Sequence, residues 1–237
     1  MPFRKFVQGY KDFYKNYFQS DSNVYDELVR RGQSPETLVI ACSDSRTDPA
    51  LITGSQPGEM FVVRNVAAIV PPYRHDTSHH GTSAAIEFAV KTLKVKHIVV
   101  LGHSMCGGIQ ALANKEAALQ EYEFLAQWMD IATPAREAVE AELGDASAPI
   151  KQRALEQAVI LVSLNNLMTF PWIAERVAAG DLQIHGWYFD LKSGQIFRYK
   201  EKTQSFEKIA AALIAQNGGE EAPHQHRDDG ECCVPKD

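Results

Sequence analysis

The chain has 237 residues, of which 45% are hydrophobic by type, and carries a formal net charge of −6 at pH 7. At roughly 150 residues per domain, that length allows one domain or one and a half, with apolar material enough for a sizeable core. The acidic balance argues against a nucleic-acid surface, which would be basic, and no apolar run approaches the ~18 residues of a membrane span.

The start, "MPFRKFVQGYKDFYKNYF", is basic but lacks the apolar stretch of a secretory leader. Aromatics at 3, 6, 10, 13, 14, 17 and 18 fall on one stripe of a helix. Such a stripe needs a surface to cover it, on this chain or on another subunit. Ser20 to Gly32 reads as a second helix, with an early Ser/Asp cap and a terminal glycine. "TLVIAC" (37–42) is a continuous apolar run suited to a strand buried on both faces. "EMFVVRNVA" (59–67) and "KHIVVLGH" (96–103) are two more. Between those two, residues 82–95 have a helical pattern that opens on a Thr/Ser cap.

Strand, helix and strand in this order predict a βαβ unit and a parallel sheet. Residues 107–169 read as almost wholly helical. Residues 182–200 read as two strands joined at "KSGQ", and a last helix is expected over about 204–215. From residue 216 the chain is polar and bears Gly and Pro, the composition of a mobile tail. The expected fold is therefore α/β. A central, mostly parallel sheet is flanked by helices, with an N-terminal helical arm (1–32), a C-terminal strand pair, one domain over 1–215 and a tail over 216–237.

The cysteines are Cys42, Cys106, Cys232 and Cys233, the last two adjacent in the tail. This is no spaced disulfide framework, and a reducing, cytoplasmic setting is the default expectation. Taken alone, Cys42 reads as a small core residue, and "HSMC" (103–106) is a weak metal signal. Together they differ. Cys42 and His103 each end a predicted strand, and the carboxyl ends of parallel strands converge on a ligand-binding crevice. Two thiolates and an imidazole form a recognised catalytic zinc set that leaves the fourth tetrahedral position free. Two thiolates also neutralise the ion. The pKa of its water should then lie above the ~7 seen with three histidines, so activity should favour mildly alkaline pH.

Asp44 and Arg46 follow Cys42 at a spacing that lets both turn to one side of a loop. Asp44 could orient a hydroxide on the metal or bind the metal itself. Arg46 offers a fork matching a carboxylate and would keep Asp44 ionised and drawn off the ion.

These residues resemble the β-class carbonic anhydrases: "CSDSR", then "GHSMCGG" about sixty residues later, with "FVVRNVAAIVPP" between them and "HGWYFD" beyond. The resemblance extends over roughly residues 30–200. It implies one zinc per chain on Cys42, His103 and Cys106, with water in the fourth place or Asp44 there in a closed form. It implies Asp44 and Arg46 as a catalytic dyad. The implied reaction is the reversible hydration of carbon dioxide to bicarbonate and a proton, by attack of zinc-bound hydroxide. Gln33 aligns with a glutamine that hydrogen-bonds substrate. Phe61, Val66 and Phe88 align with an apolar wall around CO₂, and Gly107 with a glycine beside the zinc. The implied assembly is a homodimer or higher even oligomer, its sites at the subunit interface and its N-terminal arms laid across the partner.

The chain departs from the family in places. Phe88 stands where the family often has Tyr, and Ala68 where it usually has Asn. One subgroup has an inhibitory bicarbonate pocket of Trp, Arg and Tyr. Here the positions look like Val39, Arg64 and Phe189, of which only the arginine matches. That favours the open-site subgroup, similar to the plant enzymes, with Arg64 in a structural role. His75, His79 and His80 form a loop that could relay protons or simply be solvated. Two other readings remain: a CS₂ or COS hydrolase on the same centre, and a non-catalytic protein with a structural zinc.

Overall fold

The computed structural model describes residues 2–19, 24–114 and 122–209. The continuous apolar runs become adjacent parallel strands: β1 (Thr37–Cys42), β2 (Met60–Asn65), β3 (His97–His103) and β4 (Gln183–Asp190). β5 (Gln195–Lys200) and β6 (Ser205–Lys208) extend the sheet antiparallel, giving the order β2-β1-β3-β4-β5-β6. The α/β expectation holds, with two adjustments at the C-terminal side. The strand pair becomes the start of a three-strand antiparallel extension. The helix expected over 204–215 is corrected over its first residues, because Ser205–Lys208 is a strand. A turn at 201–204 folds it back on β5. Phe206 then lies 5.4 Å from the Tyr199 ring and 6.3 Å from Tyr188, a cross-strand aromatic cluster that a helix would forfeit. Residues 210–237, including Cys232 and Cys233, lie outside the described residues.

The helices are α1 (Pro2–Phe18), α2 (Val24–Arg31), α3 (Pro49–Thr53), α4 (Gly81–Glu87), α5 (Gly107–Ala113), α6 (Leu125–Asp130), α7 (Thr133–Leu143), α8 (Ala148–Leu167) and α9 (Pro171–Ala178). α4 runs on into a π-helical turn, Phe88–Thr92. β1 is buried on both faces, as its continuous apolar run requires. Leu38 and Ile40 join a core with Ile86, Ile98, Ile160, Phe170 and Tyr188. Val39 and Ala41 point the other way, into a smaller cluster with Val99, Leu101, Trp187 and Phe189. α8 supplies Leu155, Val159, Ile160 and Leu167 to the buried side.

Two glycines let α8 lie this close to the sheet. A Cβ on Gly102 would come within 2.7 Å of Ile160, and one on Gly186 within 2.9 Å of the same side chain. α1 is different. Its aromatics meet α2 only near Tyr25, which stacks on Phe18 at 4.9 Å, while Phe3, Phe6 and Tyr10 are more than 60% exposed.

Gly102→Val should cost about 1–3 kcal/mol through overpacking, which at ~2–4 °C per kcal/mol for a chain of this size is readable in a thermal melt. Adding Ile160→Ala should return part of the loss. Additive losses would show that α8 does not rest on Gly102.

Candidate metal centre

The sheet delivers the predicted ligands to one place. Cys42 ends β1, His103 ends β3, and Cys106 immediately precedes α5. All three are buried, and their ligand atoms lie within 4.8 Å of one another. The Cys42 and Cys106 sulfurs are 3.9 Å apart. Two sulfurs each ~2.3 Å from a tetrahedral zinc would sit about 3.8 Å apart, so the spacing fits the ion. His103 is oriented for the same task. Its Nδ1–H donates to the Ser104 carbonyl at 2.8 Å, which leaves the lone pair on Nε2. That Nε2 is buried and has no hydrogen-bond partner among the described residues. A buried nitrogen lone pair beside two thiols is a donor set that fits a zinc ion.

The hydrogen bond between the two thiols pulls one below the usual thiol range and, together with burial, pushes the other above it. Burial pulls the His103 imidazole down, but Cys42, the Ser104 carbonyl and Asp44 outweigh it and leave its pKa raised.

Asp44 and Arg46 form a two-point pair. Arg46 donates from Nε to Oδ1 at 2.9 Å and from Nη2 to Oδ2 at 2.6 Å, and its backbone N–H also donates to Oδ1. The Arg46 fork holds the Asp44 carboxyl well below the usual carboxylate range. Asp44 Oδ2 is 3.9 Å from His103 Nε2, so the carboxylate borders the ligand cluster while bound to the guanidinium. Arg46 Nη2 reaches on to the Met105 carbonyl at 3.2 Å, tying the β1 loop to the loop that carries Cys106.

Arg64 has the structural part expected of it. Its Nε donates to the Cys42 carbonyl at 2.9 Å and its Nη2 to the Asp44 carbonyl at 2.6 Å. Its Nη1 pairs with Asp48 at 3.3 Å, and Asp48 also caps α3 by accepting from the Ala50 and Leu51 N–H groups. Val39 and Phe189, the other two positions compared with the bicarbonate pocket, pack in one apolar cluster.

The apolar wall divides. Val66 lies beside the ligands' loop: a Cβ on Gly108 would come within 2.7 Å of it. Gly107 begins α5, with open space where a Cβ would be, so Gly108 is the glycine that the close approach requires. Phe61 and Phe88 pair with each other at 5.8 Å. In register, however, Phe61 sits beside Leu38 while Asn65 sits beside Cys42, so along β2 Phe61 is about 13 Å from the cysteine at ~3.3 Å per residue. Gln33 is exposed and precedes β1, at the same far end. Within one chain, then, Val66, Gly107, Asp44 and Arg46 gather around the ligands, and Gln33, Phe61 and Phe88 do not.

The loop histidines are exposed except His80, which is half-buried and 2.8 Å from Asp76. Ala68, where the family usually has Asn, has φ 55°, a left-handed conformation in which Asn is several-fold enriched among non-glycine residues.

A parallel sheet that gathers two thiols and an imidazole at its carboxyl edge defines an α/β protein with a metal-binding centre. The sequence profile of the carbonic anhydrase family matches residues 37–196, and the chain belongs to that family, in its β class. Beta carbonic anhydrase 5, chloroplastic, of Arabidopsis thaliana is 40% identical over 183 residues, which cover 77% of this chain and 60% of that relative's length. A carbonic anhydrase of Synechocystis is 34% identical over 225 residues, covering 93% of this chain and 80% of the relative. Among solved structures, the β-carbonic anhydrase CcaA superposes with a TM-score of 0.83 at 32% identity, over 88% of this chain and all of that one. One from a study of two tetrameric enzymes of Sordaria macrospora gives 0.67 at 35%, over 82% and 92%. Among the described residues no single helix is long and apolar enough to cross a membrane.

Because a metal ligand must shed its proton, zinc added to metal-free protein at pH 8 should release about one proton, the one the two thiols hold between them. The number should rise towards two as the pH falls through the imidazole range. Titration calorimetry in buffers of different ionisation enthalpy reads it directly, and zinc uptake without proton release would contradict the shared-proton state.

Proposed function

We propose that the chain is a zinc enzyme that hydrates carbon dioxide reversibly to bicarbonate and a proton, as its family membership and metal centre suggest. The observation that carries the reading is the Cys42–His103–Cys106 cluster bordered by a carboxylate that Arg46 holds in place. Cys42, His103 and Cys106 would hold the ion, one per chain. The ion would supply the Lewis acidity that makes water a strong nucleophile near neutral pH.

The chain's own groups do the rest. Asp44, kept ionised by Arg46, accepts a hydrogen bond from the attacking oxygen and aims its lone pair at the carbon of CO₂. Arg46 keeps Asp44 at its post beside the metal. Val66 offers an apolar flank, and Gly107 leaves room next to Cys106. A C–O bond forms, one C=O π pair moves onto oxygen, and the released proton passes to buffer. The half-buried His80, paired with Asp76, is a candidate relay.

Gln33, Phe61 and Phe88 would serve the site of a second copy in a homodimer or higher even oligomer. Supporting this, Phe88 is 43% exposed, β2 is an edge strand and α1 presents uncovered aromatics. The packing of Val39 and Phe189 and the engagement of all three Arg64 nitrogens within the chain favour the subgroup with an open zinc position. The proposed organisation is one unit over 1–215 with 1–32 as its arm. The free thiols of Cys42 and Cys106 suit a reducing compartment such as the cytoplasm.

Stopped-flow hydration of CO₂ at pH 8.5, with zinc measured on the same sample, tests the reading. One zinc per chain without hydration would sink it, and preferred turnover of CS₂ or COS would redirect it. Asp44→Ala should lower kcat/KM about 10²-fold or more while zinc stays bound, since a positioned acid–base partner contributes on that scale. Lost zinc would make Asp44 a ligand instead. Phe88→Glu should shift the protein towards a monomer in light scattering and reduce kcat/KM with zinc retained. An unchanged assembly at full activity would remove Phe88 from the partner's site.

A further inference from the structure

Glu156 is the only buried acidic side chain among the described residues, 2% exposed on α8. Burying a carboxyl group is costly unless it is fully hydrogen-bonded, and here three donors meet it. Gln152 Nε2 donates to Oε1 at 2.8 Å. The buried Tyr188 hydroxyl donates to Oε2 at 2.8 Å. The third donor is the backbone N–H of Cys106, 3.3 Å from Oε1.

That N–H belongs to one of the candidate zinc ligands. Cys106 is 2% exposed and has extended dihedrals, φ −72° and ψ 120°, just before α5. Its N–H points away from the helix ladder and would be orphaned without an acceptor. Its carbonyl accepts from the Gln110 N–H at 2.9 Å. Both polar groups of the Cys106 peptide backbone are thus bonded, one by α5 and one by Glu156. With both groups bonded the peptides on either side of Cys106 are restrained, which fixes the Cα–Cβ direction from which its sulfur reaches the cluster. Apolar packing could have filled this place on α8. A buried carboxyl group there is unfavourable unless it does something that packing cannot.

Resting on the zinc assignment made above, we propose that Glu156 is a positioning residue for the metal site. By holding the Cys106 N–H it keeps that sulfur aimed at the ion. Outer partners of metal ligands typically carry 10–100-fold of metal affinity.

The test uses the full-length zinc-loaded protein and Glu156→Leu, which keeps the bulk but removes the acceptor, with release of zinc to an excess of chelator followed well below the melting temperature. Release should be about tenfold faster or more, and the thiolate-to-metal absorption band of the cobalt-substituted variant should move. Tyr188→Phe removes a bond on the far oxygen only. It should lower the melting temperature yet release zinc within about twofold of wild type. The proposal is overturned if Glu156→Leu releases zinc at the wild-type rate with an unmoved band, or if both variants speed release equally. Should Glu156→Leu not fold, Glu156→Asp retracts the carboxylate by one methylene, with the same two outcomes. Wild-type protein that binds no zinc at these residues overturns the metal site itself. Wild-type zinc with an indifferent Glu156 overturns this proposal alone.

Discussion

The guanidinium of Arg64 fixes the turn on which the centre is built. It reaches that turn because β2 runs parallel to β1 with Arg64 beside Ala41, one residue before the cysteine. Two of its nitrogens then hold the carbonyls of Cys42 and Asp44, and the third meets Asp48. With those carbonyls committed, the turn cannot rotate a peptide without losing a charge-assisted bond, each worth about 1.5–3 kcal/mol. The Cys42 sulfur is thereby held towards the ligand cluster, and the Asp44 side chain is presented to Arg46. Arg46 carries the restraint across to the Met105 carbonyl, so two loops from non-adjacent parts of the sequence behave as one piece.

The same parallel geometry explains why the site divides. Parallel strands put all their carboxyl ends on one edge, which concentrates the ligands there. It also exiles residues at the strand starts, however near they are in sequence. Phe61 is five residues from Val66, yet strand spacing separates their ends of the sheet. In the proposed assembly, a second copy would bring its opposite end to this edge. An edge strand with an exposed apolar group, Val62 at 39%, and Val66 at 37% just past its end, is the surface on which such a copy could settle.

Much of this was legible beforehand because it depends on period and on strand ends. The runs 37–42 and 96–103 gave strands whose last residues are ordinary singly but form a ligand pair when parallel pairing brings them to one edge. The short strand 205–208 was not legible. Its reason for being a strand is Phe206 against Tyr199 and Tyr188, contacts that exist only once β4 and β5 are paired. Glu156 was hidden for a different reason. A glutamate in a helix reads as surface by default, although it falls on the buried stripe between Leu155 and Val159. A charged residue interrupting an apolar stripe was the available signal. The separation of Phe61 from Cys42 needed the register, which no single strand's pattern contains.

The backbone adds one consequence. Ala67, Ala68 and Met105 all have positive φ, and they bracket the ligand cluster from both sides. Met105 is 54% exposed, so neither burial nor polarity restricts what could replace it. The restriction is the sign of an angle. Drift at this position should admit glycine and asparagine and exclude valine and isoleucine, a substitution spectrum that would look arbitrary to any account based on size or hydrophobicity.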